Sequence, residues 1–189
     1  MVLSLAVICL VCSALLGLVY SVTAAPIADA QAAKVRDAIG AVVPQFDNSP
    51  ADEAQEIDGA LVYTAKSGGN PVGYAVKVSV SGFGGALQMM VGFTPDGTVY
   101  NTSIISHSET PGLGAKITLP EIQPRAQVVG KNPATTKISV RKDGGDIDAI
   151  TASTITSRAF LNGVNVAYAV FQKVQPAVEA TNTETDEQE

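Results

Sequence analysis

Past residue 12 this chain has no cysteine, and over its whole length it has one histidine, His107. The residues beyond that point therefore hold no disulfide, no thiolate nucleophile and no cysteine-ligated metal or iron–sulfur cluster. A lone histidine likewise excludes a multi-histidine zinc or haem site, and no metal centre is expected. Concentrated positive charge is missing too: 12 bases face 18 acids, for a net charge of −6. Without a basic stripe, nucleic acid is set aside as a partner. Neither a Ser-His-Asp set nor a pair of catalytic carboxylates is visible. Any redox group on this chain is organic and held by other means.

Charge of either sign is also absent from residues 1–28, where Val2 to Thr23 is almost wholly apolar or small. A helix needs about 20 such residues to cross the hydrocarbon core of a bilayer. Cys9 and Cys12 both fall inside this run, where small apolar filler is the simplest account of them. A cleaved signal peptide ending near Val22-Thr-Ala24 competes with an anchor. The run exceeds a signal core of about 7–15 residues and no base precedes it, so an uncleaved anchor in membrane lipid is expected. Orientation stays open, because Lys34 and Arg36 are interleaved with Asp29 and Asp37.

About 160 residues follow, enough for one domain with a real core. Their pattern predicts an α+β fold: a transmembrane helix (1–24), a helical connector and linker (25–58), one domain with an antiparallel sheet and packed helices (59–175), and an acidic disordered tail (176–189). Val35, Ile39 and Val42 repeat at helical spacing. Val72, Tyr74, Val76, Val78 and Val80 alternate, the mark of a half-buried strand. Flanking segments at Ala60 to Ala65, Ala86 to Thr94 and Val99 to Ile105 are separated by glycine-rich turns, which reads as a meander. Asp143-Gly-Gly-Asp146 lacks the ligands of a calcium loop and reads as a hairpin turn before a short strand at Ile147. Ile155, Leu161, Val164, Tyr168 and Phe171 then mark a helix docked on the sheet and ending near Lys173.

Two stretches carry chemistry. In Asp148-Ala-Ile-Thr-Ala-Ser-Thr154-Ile-Thr-Ser157 a cluster of small hydroxyl residues meets a helix beginning near Thr154. The simpler reading makes Thr151 or Ser153 a plain helix cap. The first turn of a helix is also suited to a phosphate, with unpaired N–H groups and the positive end of the dipole. Hydroxyls at Thr151, Ser153, Thr154, Thr156 and Ser157 add donors. The second stretch, His107-Ser-Glu109-Thr-Pro-Gly-Leu-Gly114, is a tight turn with exposed backbone and Leu113 placed to lie against a flat ring. On its own it is a decorated surface turn. Gly82-Phe-Gly-Gly85 joins two strands and lacks the helix and Lys of a nucleotide loop, so a glycine-shaped turn is expected there, with Phe83 in the core or at a rim. Lys116 is either a phosphate partner or a solvated lysine, and Arg158, one turn after Thr154, can approach a phosphate that the dipole and hydroxyls would also hold without it.

The first stretch resembles the flavinylation motif Asp-x-x-(Ser/Thr)-(Gly/Ala)-(Ala/Ser)-Thr, with Asp148, Thr151, Ala152, Ser153 and Thr154 in order. Such proteins more often have Gly-Ala where this chain has Ala152-Ser153. Joined to Glu109-Thr-Pro-Gly-Leu-Gly114, the motif is similar to the G subunit family of the Rnf ion-translocating electron-transport complex. It is less similar to the C subunit of the sodium-pumping NADH:quinone reductase, whose chains are generally longer. The resemblance implies an FMN-binding domain whose FMN is joined by a phosphoester to Thr154. It implies cofactor contacts from Asp148, Thr151, Ala152, Ser153, Thr156, Ser157, His107, Glu109, Thr110, Gly112 and Leu113. It further implies a single-pass protein of the bacterial cytoplasmic (inner) membrane, with its domain on the periplasmic side. Its partners would be a flavin transferase and the other membrane subunits of an Rnf-type ferredoxin:NAD oxidoreductase. Such a protein would relay electrons and have no turnover alone. A membrane-anchored scaffold domain without a redox role is the alternative from another class.

Overall fold

The computed structural model describes residues 2–186, with side chains through Val174. The chain divides into two compact units, Met1–Arg36 and Asp37–Glu189.

The first unit is helical. Helix α1 spans Val2–Val42, and an 18-residue window in it reaches a mean hydropathy of 2.8 with none of it buried. By length and composition it can cross a membrane. Pro26 removes one N–H from its ladder without stopping it. Ser21 and Thr23 turn their hydroxyls onto the carbonyls of Leu18 and Val19, both at 2.8 Å. Such back-bonding gives each hydroxyl an acceptor within its own helix.

The second unit bears out the α+β class. Five strands, β1 Gln55–Ile57, β2 Ala60–Ser67, β3 Asn70–Ser81, β4 Ala86–Phe93 and β5 Val99–Ser106, lie in the order of the chain. Every pairing is antiparallel. Two of the turns explain that regularity. Asp58-Gly59 and Gly68-Gly69 join paired strands through two residues, all four at positive φ, which suits the right-handed twist of a hairpin. Short helical turns at Gly114–Thr118, at α2 Gln123–Val128 and at Arg141–Asp143 follow β5, and then α3 Thr154–Asp186.

Helix α3 covers one face of the sheet. Phe160, Leu161, Val164 and Phe171 join Tyr74, Val76, Val78, Met89, Val91 and Phe93 in one core. Phe171 stacks on Phe93 at 5.1 Å and meets Tyr74 edge-on at 5.3 Å. The opposite face is not left to solvent, as a half-buried strand would require. Residues 38–43 bury Ala38, Ile39, Val42 and Val43, and two glycines admit them. A Cβ at Gly92 would stand 1.6 Å from the Val42 carbonyl oxygen, and one at Gly73 would stand 2.9 Å from the Pro44 ring. The middle of β3, from Gly73 to Val76, is therefore buried on both faces.

Other expectations need correction. Ile147 makes only an isolated parallel bridge to Val140, so Asp143–Asp146 is not a hairpin turn and no strand follows it. Side chains take the bonds that a strand neighbour would have made: the N–H of Asp148 donates to Gln127 and that of Ile150 to Ser157. Helix α3 continues past Lys173, to Asp186. Within the acidic stretch 176–189 the backbone is helical to Asp186, and residues 187–189 lie outside the described ones.

Candidate functional site

Thr154 opens α3, and the chain enters that helix through a bend held by its own side chains. The Ser153 N–H donates to the Ile150 carbonyl at 3.0 Å. Ser157, fully buried, donates its hydroxyl to the Ser153 carbonyl at 3.0 Å and accepts the Ile150 N–H at 2.9 Å. Ser157 thus fastens the start of the helix from below. Ala152 sits at φ +62°, a left-handed conformation that costs a residue with a Cβ about 1–2 kcal/mol. Glycine would take that position without strain, and Ala152 occupies it at the approach to Thr154.

Thr154 and Ala152 form a wall shared by two clefts. One, of about 410 Å³, is lined by Phe83, Glu109, Thr110, Leu113, Gly114, Ala152, Ser153, Thr154, Ile155 and Thr156. The other, of about 400 Å³, is lined by Val140, Arg141, Lys142, Asp148, Ala149, Ile150, Thr151, Ala152 and Thr154. Both volumes are of ligand-site size.

Glu109 organises the first cleft. It is buried, and it accepts the Phe83 N–H at 2.8 Å and the Gly84 N–H at 3.4 Å on Oε1. Its Oε2 accepts the Thr156 hydroxyl at 2.7 Å. The turn after β3, the turn after β5 and the first turn of α3 are thereby joined through one side chain. Glycine is needed around it, because a Cβ at Gly82 would stand 2.1 Å from Oε1 and one at Gly114 2.4 Å from Oε2. His107 accepts the N–H of Glu109 on Nδ1 at 3.2 Å, bracing that residue from outside the cleft. Gly112, at φ +76°, lets the Thr110 carbonyl accept the N–H groups of Leu113 and Ala115. Phe83, Leu113 and Ile155 present large apolar side chains to the cleft from exposed positions.

Asp148 organises the second. It accepts the Gln127 amide at 2.8 Å and the Arg141 guanidinium at 2.5 Å, and its own N–H donates to Gln127 at 2.7 Å. The Gln127 hydrogen bond, then that from Arg141, holds the Asp148 carboxyl below the usual carboxylate range. Further along, Arg158 forms a two-pronged pair with Asp143 at 2.7 Å. That pair lowers the Asp143 carboxyl and raises the Arg158 guanidinium, and it occupies the arginine that the sequence offers to a phosphate.

The residues singled out in the sequence thus fall into three groups. Glu109, Thr110, Leu113, Ala152, Ser153, Thr154 and Thr156 line the first cleft, and Asp148 and Thr151 line only the second. His107, Gly112 and Ser157 line neither; they shape backbone next to those that do. Ile155 is not a core contact but half-exposed cleft wall. Its offset from the buried stripe of Thr156, Phe160 and Val164 is the sequence signal for that position. Phe83 and Gly114 complete the wall, and they share no sequence neighbourhood with α3.

The first cleft suits a flat, largely apolar ring with a phosphate at one end. Three apolar side chains stand on its wall, and the Thr154 hydroxyl lies at the N-terminus of α3. Residues 82–169 match the FMN-binding domain family. The chain is 36% identical to the G subunit of the ion-translocating oxidoreductase complex of Methanosarcina acetivorans, covering 88% of this chain and 90% of the relative. It is 32% identical to the G subunit of the proton-translocating ferredoxin:NAD(+) oxidoreductase complex of Clostridium ljungdahlii, covering 87% and 86%. In fold it is similar to the C subunit of a Na(+)-translocating NADH-quinone reductase from Parabacteroides distasonis. That likeness has a TM-score of 0.53 at 20% identity, over 77% of this chain and 92% of the other.

Proposed function

This chain belongs to the G subunit family of ion-translocating oxidoreductase complexes, and we propose that it carries FMN on Thr154 as the membrane-anchored flavoprotein of an Rnf-type ferredoxin:NAD oxidoreductase. The observation that carries the reading is Thr154 itself. It lies within the FMN-binding match, at the first turn of a helix and on the wall of an apolar cleft.

Bound FMN exchanges one or two electrons. The chain's own residues hold and orient it. The bond formed is Thr154 Oγ to phosphorus. With a flavin dinucleotide as donor, its P–O–P bond breaks and the adenylate leaves with the Oγ proton. The unpaired N–H groups of the first turn of α3 receive the phosphate, and the dipole favours its charge. Phe83, Leu113 and Ile155 give the ring an apolar bed. Asp148, Thr151, Ala152 and Ser153 present Thr154 to the transferase, and the left-handed turn at Ala152 brings the backbone forward. His107, Gly112 and Thr110 shape the opposing turn. The cleft is open, so a covalent bond keeps a cofactor there that would otherwise be lost by diffusion.

Helix α1 anchors the chain in the membrane, with the FMN domain on the extracytoplasmic side, next to the other subunits of the complex. The fold is shared with a quinone-reductase C subunit, but the identities above favour the G subunit. A scaffold without a redox role would be colourless. Intact mass measurement of the protein coexpressed with its flavin transferase tests the proposal, with Thr154→Ala alongside. The expected gain is one FMN less one water on the wild type and none on the variant. No gain on the wild type, with the transferase active on a control, would refute it.

A further inference from the structure

Among the described residues Glu109 is the only buried carboxylate, at 5% exposure. Burying an anion without a counter-ion is costly, and here no cation is paired with it among the described residues. Its partners are all neutral: the N–H groups of Phe83 and Gly84 on one oxygen and the Thr156 hydroxyl on the other. Hydrogen bonds of this kind fix the direction of a carboxylate while leaving its net charge in place. The packing leaves it little room to turn, since Gly82 and Gly114 come so close that a Cβ on either would strike it. A fixed negative charge therefore faces the cleft, with its field screened less than in water.

We infer that Glu109 is a positioning residue whose charge lowers the reduction potential of the ring in this cleft. The inference rests on the reading of the cleft as the FMN site. Reduction brings an electron from an external donor into the cleft, and Glu109 opposes that added charge without itself being oxidised or reduced. Through the same three bonds it sets the position of the Phe83 turn against the start of α3. The charge and the latch are one side chain, so the potential is tied to the closed arrangement of the three loops.

The test is an anaerobic redox-dye titration of the full-length, flavin-loaded protein in detergent, with intact mass recorded on each sample. Glu109→Gln keeps an acceptor oxygen for the turn and removes the charge. At a fixed dye potential its ratio of reduced to oxidised flavin should rise by about tenfold per electron, equivalent to about 59 mV. Thr156→Val removes one donor and leaves the charge less compensated, so its ratio should fall by a smaller factor. A role in packing alone would let in solvent in both variants and move both ratios the same way, which overturns the inference. So does an unchanged Glu109→Gln ratio with the adduct retained. If Glu109→Gln takes up no flavin, the direction of the Thr156→Val shift decides. An adduct missing from the wild type itself removes the FMN reading and this inference with it.

Discussion

The two clefts that meet at Thr154 are of nearly equal size, about 410 and 400 Å³, yet they hold their carboxylates by opposite means. On one side Glu109 is buried and bound by two backbone N–H groups and a hydroxyl. On the other Asp148 is partly exposed and bound by an arginine and a glutamine. Coulomb interaction with Arg141 is screened by water and contributes little to stability. The Glu109 charge is screened less than that, and no counter-ion is paired with it among the described residues. A carboxylate meant only to fasten loops would be served well by the arrangement around Asp148. The arrangement around Glu109 fastens loops and also keeps a charge.

Substitutions can undo this contrast. The largest effect on stability should come from Gly114→Ala, whose Cβ would stand 2.4 Å from Glu109 Oε2 and 2.8 Å from Thr156 Oγ1. Overpacking of this kind costs about 1–3 kcal/mol, and chemical denaturation should place Gly114→Ala near the upper end. A cost under about 0.5 kcal/mol would mean that Gly114 does not pack against Glu109 and Thr156 as described. Ala152→Gly should act the other way. Relief of the left-handed strain, about 1–2 kcal/mol, outweighs the added chain entropy of glycine, about 0.4–1 kcal/mol. The variant should be slightly more stable and still take up flavin; a loss of stability would show that Ala152 is not strained.

Smallest of all should be Arg141→Gln in the second cleft, because water screens the ion pair that it breaks. Its effect is on titration. The folded Asp148 carboxyl is held below its unfolded value of about 3.9. Its contribution to stability is therefore complete above that value and lost as pH falls through the depressed one. Carboxyl titration followed by NMR should show the Asp148 midpoint rising toward the ordinary range in Arg141→Gln. Gln127 should keep part of the depression. An unmoved midpoint would assign the whole effect to Gln127.

Much of this was legible in the sequence because it is local. Glycine-bearing turns separated the strands, alternation marked β3, and the hydroxyl run marked the neighbourhood where α3 starts. What escaped depends on distance along the chain. Glu109 reaches 26 residues back to the Phe83 N–H and 47 forward to Thr156, and no period or motif encodes either contact. Nothing in the sequence around Gly92 tells that Val42 lies against it. The strand expected from Ile147 fails for the same reason, since Gln127 and Ser157 take the N–H groups of Asp148 and Ile150 from outside the segment. The apolar positions of α3 gave its buried face but not the role of Ile155, which becomes cleft wall only because two other loops stand opposite.

Everything above turns on which hydroxyl carries the flavin, and fragmenting the peptide that spans residues 148–157 in a mass spectrometer locates the phosphoester. It should lie on Thr154, the hydroxyl residue shared by both clefts. A phosphoester on Thr151, Ser153 or Thr156, or an unmodified peptide from protein exposed to active transferase, would contradict that assignment.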